Sequence, residues 1–255
     1  MKKSRVVQKW REGKLARTSV MGLVNPAFIA QSSRSGFDAV WIDNEHRGMS
    51  NRELQSLMAF CRVYDVDCIV RPPTIEKTPL YRYLEDGATG LLIPHVGTAE
   101  KARELVNAVK FPPLGDRGLD GSGFDGDFQA YDPDEFVKWA NEETYLIVLI
   151  ETPEGVDNLD EIAAVEGVDA LFLGPGDLGL RYRQAGDDGT LLEAAYGKMA
   201  AAAEKHGKQW AAPAIVKEDI ARRHDQGCRL IVHGNEFSAV KSMLTECGGD
   251  FDEIE

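Results

Sequence analysis

Two short apolar runs, Tyr145 to Ile150 and Ala170 to Leu173, flank a helix-length amphipathic segment, and each run finishes in a carboxylate. Glu151 follows the first at once, and Asp177 follows the second after the turn Gly174-Pro175-Gly176. Runs this short, rich in Ile, Val, Leu and Phe and separated by a helix, are the pattern of neighbouring parallel strands buried on both faces in a βαβ unit. A buried strand does not keep a free carboxylate at its end without a partner or a use, because an unpaired buried charge is expensive. One strand-end acid is as readily a solvated cap or the start of a loop. Two that converge at adjacent strand ends suggest a divalent metal.

The same alternation runs through the chain. Candidate strands are Thr18 to Leu23, Ala39 to Asp43, Asp67 to Arg71, Gly90 to Pro94, Tyr145 to Glu151, Ala170 to Leu173, Lys208 to Pro213 and Arg229 to His233. Between them Leu54 to Tyr64, Ala99 to Val109, Glu135 to Ala140, Leu191 to His206 and Lys217 to Gln226 space their apolar residues three and four apart, as helices packed on one face do. Ser50 and Thr98 stand where helix caps belong. Strict alternation predicts a parallel sheet, and eight repeats predict its closure into a single (β/α)₈ TIM barrel, a fold of about 250 residues, against 255 in this chain. The competitor, a doubly wound open sheet, lacks its usual hallmarks here, since no GxGxxG or GxxxxGK[ST] follows the first strand. No repeat, low-complexity segment or linker divides the chain, so residues 1–255 read as one domain.

The charge balance narrows the function. Net charge is -13 and the isoelectric point is near 4.9, a field that repels nucleic acid and anionic membrane alike. The cysteines Cys61, Cys68, Cys228 and Cys247 show no CxxC spacing and read as small buried hydrophobes in a reducing compartment. The basic N-terminus lacks an apolar core, and no run of about 18 apolar residues occurs, so the expectation is a soluble, cytoplasmic protein.

In a barrel of this kind chemistry sits at the carboxyl ends of the strands. Asp43, His46, Arg71, Glu151, Asp177 and His233 all stand there. In Trp41 to Gly48, WIDNEHRG, Asp43 ends a strand and His46 lies three residues on, so the carboxylate is expected to accept from one ring nitrogen and leave the other as a base. Glu45 between them is expected to point elsewhere or to support a metal's water shell. Arg71, stiffened by Pro72 and Pro73, needs an anion, and a substrate oxygen is favoured over a protein carboxylate. No Lys ends a strand, which argues against a Schiff-base route. The long irregular stretch Phe111 to Asp132 reads equally as a surface excursion or as a lid over the strand ends or an oligomer contact.

Several motifs in one order resemble those of the HpcH/HpaI aldolase family, the class II pyruvate aldolases acting on 4-hydroxy-2-oxo acids. GFDAVWIDNEH (Gly36 to His46) is similar to GFDxxxIDxEH, IVRPP (Ile69 to Pro73) to VRP, and FPPLGDRG (Phe111 to Gly118) to YPPxGxRG. EDGATGLLIPHV (Glu85 to Val96) resembles the family's helix and strand before a Pro; IETPEGVDNLDEI (Ile150 to Ile162) is similar to ExxxAxxNLDEI, and GPGDL (Gly174 to Leu178) to GPxDL.

The resemblance implies reversible cleavage to pyruvate, or a close analogue, and an aldehyde. It implies that Glu151 and Asp177 ligate Mg²⁺, Mn²⁺ or Co²⁺, to which a 2-oxo acid chelates, with backbone N–H groups near Gly176 and Asp177, in the turn begun by Pro175, holding its carboxylate. Arg71 would face the oxygen that becomes an enolate, and His46, oriented by Asp43, would handle the aldol hydroxyl proton. It implies a homo-oligomer, commonly a hexamer built as a trimer of dimers, with the last helix on a neighbouring barrel. The alternatives are a 2-oxo acid decarboxylase or acyl-CoA ester lyase using the same site, and a non-catalytic barrel that binds a 2-oxo acid. The chain departs from the family at Leu149, where a Gln is usual, at Glu85, where an Asp is common, and at IVHGNE (Ile231 to Glu236), which brings His233 and Glu236 toward the mouth.

Overall fold

The computed structural model describes residues 2–252 and 254. The strands β1 (Ala16–Met21), β2 (Ala39–Asp43), β3 (Asp67–Arg71), β4 (Gly90–Ile93), β5 (Tyr145–Ile150), β6 (Ala170–Leu173), β7 (Gln209–Pro213) and β8 (Leu230–Asn235) close a parallel barrel in sequence order. Around them run α2 (Pro26–Arg34), α3 (Asn51–Val63), α4 (Lys77–Glu85), α5 (Ala99–Val109), α6 (Pro133–Glu143), α7 (Pro153–Asp157), α8 (Leu159–Ala163), α9 (Pro175–Gln184), α10 (Thr190–Lys205) and α11 (Lys217–Asp225). A short helix, α1 (Arg5–Arg11), precedes the barrel, and a long one, α12 (Glu236–Asp252), follows it. This is the (β/α)₈ fold that the alternation predicts.

Burial on both faces explains why the strands read as unbroken apolar runs. Ile69, Leu92, Ile147, Leu149, Ala170, Phe172, Leu230 and Val232 form one cluster inside the barrel, while their chain neighbours Val70, Leu91, Leu146, Val148, Leu171 and Ile231 join the larger shell between sheet and helices. Side chains alternate across a strand, so this parity fixes which strand-end residues face the axis. It sends Asp43, Arg71 and Glu151 inward and His233 outward. Gly90 belongs to the packed interior: a Cβ there would stand 2.1 Å from the Tyr145 ring.

Local chemistry sets the helix starts. Ser50 and Glu53 form a reciprocal capping box on α3, and Thr98 accepts from the Lys101 N–H at 3.2 Å to start α5. The amino-terminal end of the barrel is plugged by α1, whose Val6 and Trp10 join the inner cluster. Asp67, fully buried at the start of β3, accepts from the backbone N–H groups of Arg5 and Val6, both at 3.1 Å. Burial pushes the Asp67 carboxyl above its ordinary value, and these bonds oppose the rise.

The long stretch 111–132 is not a lid over this chain's own strand ends. Helices of a βα unit return antiparallel to their strands, so their carboxyl ends lie at the strands' amino-terminal side, and that is where the stretch is anchored. The N–H groups of Phe124 and Asp125 bond the Glu85 carbonyl at the end of α4, and Arg62, near the end of α3, donates to the Phe124 carbonyl at 2.8 Å. A buried ion pair, Arg117 to Asp125 at 2.7 Å, holds it internally. Glu85 therefore also lies at the end of the barrel opposite Glu151.

Candidate active site

Parity brings the inward strand-end side chains of β2, β3 and β5 to one rim. Asp43, at the end of β2, receives Arg71 from β3 at two points, Nε to Oδ1 at 3.0 Å and Nη2 to Oδ2 at 2.8 Å. The register Asp43↔Arg71 places the two side by side. Burial pushes the Asp43 carboxyl up, but the Arg71 hydrogen bond and charge outweigh it, and the carboxyl is held below its ordinary value. Arg71 also reaches Glu45 Oε2 through Nη1 at 2.9 Å and lies over the Trp41 ring at 4.9 Å.

These contacts correct two sequence expectations. Asp43 does not take a ring nitrogen of His46; it accepts the His46 backbone N–H at 3.3 Å, together with that of Glu45 at 3.2 Å. The tight turn after β2 points two N–H groups back at the Asp43 carboxylate, and the Arg71 fork claims what remains of it. The His46 ring is exposed at the rim, with Nε2 3.6 Å from Glu45 Oε2. Arg71 finds its anions in the protein, Asp43 and Glu45, where a substrate oxygen had been favoured.

Glu151 is buried one residue beyond β5. Its Oε1 accepts the His95 backbone N–H at 2.7 Å and lies 2.8 Å from His95 Nδ1. Burial raises the carboxyl above its ordinary value; the His95 bond and charge oppose this, while the charges of Glu45 and Asp177 add to it. Asp177 sits in the first turn of α9, half exposed, with Oδ1 3.6 Å from Arg181 Nη1. Gly174 is a glycine because the two strand ends touch: a Cβ there would meet Glu151 Cβ and Leu149 Cδ1, each at 3.0 Å. Gly176 faces open space, and Pro175 opens the helix at its first position.

The sequence reading missed His95 and the centrality of Glu45. His95 Nε2 lies 3.3 Å from Glu45 Oε1, so Glu151, His95, Glu45, Arg71 and Asp43 form one chain of polar contacts across the mouth. The available signal was register: Ile93 pairs with Val148, so a residue two beyond β4 stands beside the end of β5. His233 lies outside this group, half-buried, with Nδ1 2.7 Å from the Ala214 carbonyl. Glu236 is buried at the β1–β8 seam, where it accepts the N–H groups of Gly22 and, at 3.0 Å, Leu23. Beside it an open cavity of about 290 Å³ is lined by Val20, Asp43, Arg47, Asn235 and Phe237.

Among the described residues no group of three or more His, Cys, Asp or Glu forms a ready-made metal cage. The donor set still fits a hard divalent cation. Such ions are commonly held by one or two carboxylates, with water and substrate completing the shell. A cation between Glu151 and Asp177 would favour the charged form of Glu151 against the burial that raises it, and would offset the smaller contribution of the Asp177 charge.

The family described as HpcH/HpaI aldolase/citrate lyase matches residues 21–234. A hydroxypyruvate/pyruvate aldolase of Pseudomonas aeruginosa is 32% identical over 254 residues, covering 97% of this chain and 92% of that protein. Another of the same description, from Delftia acidovorans, is 35% identical over 222 residues, covering 86% and 82%. Among solved structures, an HpcH/HpaI aldolase from Desulfitobacterium hafniense superposes with a TM-score of 0.89 at 28% identity, covering 96% of each chain.

Proposed function

Because the chain belongs to the HpcH/HpaI aldolase/citrate lyase family and is a carbon–carbon lyase, we propose that it reversibly cleaves a 4-hydroxy-2-oxo acid to pyruvate, or a close analogue, and an aldehyde, aided by a divalent cation. The observation that carries this reading is the convergence of Arg71, Glu45, His95 and Glu151 on one rim, with Asp177 close enough for its charge to act on Glu151.

Glu151 and Asp177 would hold the cation, Mg²⁺, Mn²⁺ or Co²⁺. When bound it supplies positive charge where an enolate oxygen develops. Arg71, pinned by Asp43 and Glu45, adds a second, preorganised positive charge at low cost in reorganisation. The turn opened by Pro175 presents the N–H groups of Gly176 and Asp177 to a substrate carboxylate, and Gly176 leaves room for it. The exposed His46 ring takes the proton of the 4-hydroxyl. As that proton leaves, the C4 oxygen closes to the aldehyde carbonyl and the C3–C4 bond breaks. Its electrons form the C2=C3 bond of an enolate with the charge on the C2 oxygen; the aldehyde departs, and protonation at C3 gives pyruvate.

The reading extends to assembly. Every described residue of α12 after Glu236 is exposed, including Phe237, Val240, Met243 and Leu244. An open hollow of about 530 Å³ between Leu15 and α11, with Ile220 and Ala221 on its wall, offers an apolar seat for the α12 of a second copy. This exposed face and hollow support the reading of a homo-oligomer, for which the family resemblance implies a hexamer.

The test is pyruvate release coupled to NADH oxidation, with and without EDTA. EDTA is expected to abolish turnover, added Mn²⁺ to restore it, and Glu151→Ala to lose at least about 100-fold, the scale of losing one electrostatic stabiliser. Full activity in EDTA, or an unimpaired Glu151→Ala enzyme, would sink the mechanism.

A further inference from the structure

We propose that His95 is a positioning residue that selects which oxygen of Glu151 faces the cation, an inference that rests on the function proposed above. Two groups of His95 reach Glu151, the backbone N–H, which donates at 2.7 Å, and ring Nδ1, in ion-pair contact at 2.8 Å, and both meet the same oxygen, Oε1. Among the described residues no hydrogen bond reaches Oε2. That second oxygen is on the side of β6, where a Cβ on Gly174 would stand 3.4 Å away, and Gly174 is the cap of the helix that carries Asp177. With Oε1 occupied twice, Oε2 is the oxygen left to pair with Asp177 as donor. A buried carboxylate free to rotate would present either oxygen, so the backbone bond and the ring contact together select one arrangement before any ion arrives.

The backbone is committed to this role. His95 has φ of 57°, in the left-handed region that non-glycine residues rarely occupy. That conformation turns its N–H and its ring toward one point. The far ring nitrogen, Nε2, lies 3.3 Å from Glu45 Oε1, and Glu45 Oε2 lies 2.9 Å from Arg71 Nη1. One imidazole therefore joins the carboxylate of the cation clamp to the carboxylate that steadies the arginine. It supplies a polar contact to Glu151 on a chain that carries an apolar Leu149 two residues earlier, on the interior side of the same strand.

The left-handed backbone also makes the test clean, since Gly and Asn are the residues that best tolerate it. His95→Gly removes both ring contacts, and His95→Asn keeps a donor near the Nδ1 position while dropping the reach to Glu45. Mn²⁺ binding to the full chain, followed by loss of the free-ion electron paramagnetic resonance signal, reads the outcome without turnover. His95→Gly is expected to weaken Mn²⁺ by about 10- to 100-fold, the usual effect of losing an outer partner of a ligand, and His95→Asn to stay within about threefold of the unmodified protein. Saturating Mn²⁺ should then restore most of the His95→Gly turnover, which general structural damage would not allow. If Glu151→Gln loses Mn²⁺ while His95→Gly binds it as tightly as the unmodified protein, the positioning role is overturned and the proposed function stands. If the unmodified protein binds no Mn²⁺, or Glu151→Gln binds it equally well, both fall.

Discussion

Glu85 carries its charge at a cost. Burial, set against the attraction of Arg117 and joined by the nearby Asp125, moves its carboxyl from an ordinary 4.5 up to about 6. A carboxyl raised on folding contributes stability that is whole below about pH 4.5 and lost as pH climbs through about 6. Glu85→Gln is therefore expected to gain about 1 kcal/mol over the unmodified protein at pH 8, after discounting for partial exposure, and little at pH 4.5. Urea unfolding at the two pH values checks this; an equal effect at both would exclude the titration as its source. At the same scale, the residues that were legible in the sequence are those whose position follows from strand parity: Asp43, Arg71 and Glu151 face the rim as their place at strand ends requires. His95 was not, because its direction comes from a positive φ and a neighbouring strand's register, and neither is written in residue type. The Asp43–His46 pairing failed for a related reason: spacing showed proximity, while a competing guanidinium from the next strand decided the bond.

Elements were read more surely at their apolar cores than at their ends. β2, β3 and β6 match their apolar runs residue for residue, and so does α5, since burial pattern alone defines them. β1 begins two residues before the predicted start, at Ala16, because pairing with β8 extends the ladder into Ala16 and Arg17. The seven-residue α1 carries too few turns to show a period. The last helix raises the opposite question, a plain apolar stripe that stays exposed beyond Phe237, whose ring meets the Arg47 guanidinium at 5.1 Å. Val240 and Leu244 are about half exposed, at 49% and 58%. Changing both to Asp is expected to convert the oligomer to smaller species by light scattering, with an unchanged far-ultraviolet circular dichroism spectrum. An unmodified protein that is already monomeric would refute the seat proposed at α11.

For the whole molecule the charge of -13 at pH 7 is a long-range term that no single contact reveals. It disfavours an anionic 2-oxo acid in solution and favours a divalent cation, so the cation is attracted first and the rim then becomes less hostile to the acid. Raising monovalent salt from about 20 to about 200 mM screens that field, and Mn²⁺ affinity is expected to fall several-fold. Titration at the two ionic strengths measures it, and a salt-independent constant would confine the attraction to Glu151 and Asp177 themselves. The barrel also has unequal ends. The amino-terminal side is filled by α1 and overlaid by residues 111–132, while the rim stays open.

Glu236 begins α12 and, with the same carboxylate, grips the N–H groups of Gly22 and Leu23 just past β1. The helix offered to a neighbour and the edge of the cavity beside Asp43 thus share a hinge pin. In the oligomer proposed above, any tension along α12 would arrive at the seam between the first and last strands, and quaternary contact would become a mechanical input to the shape of the doorway.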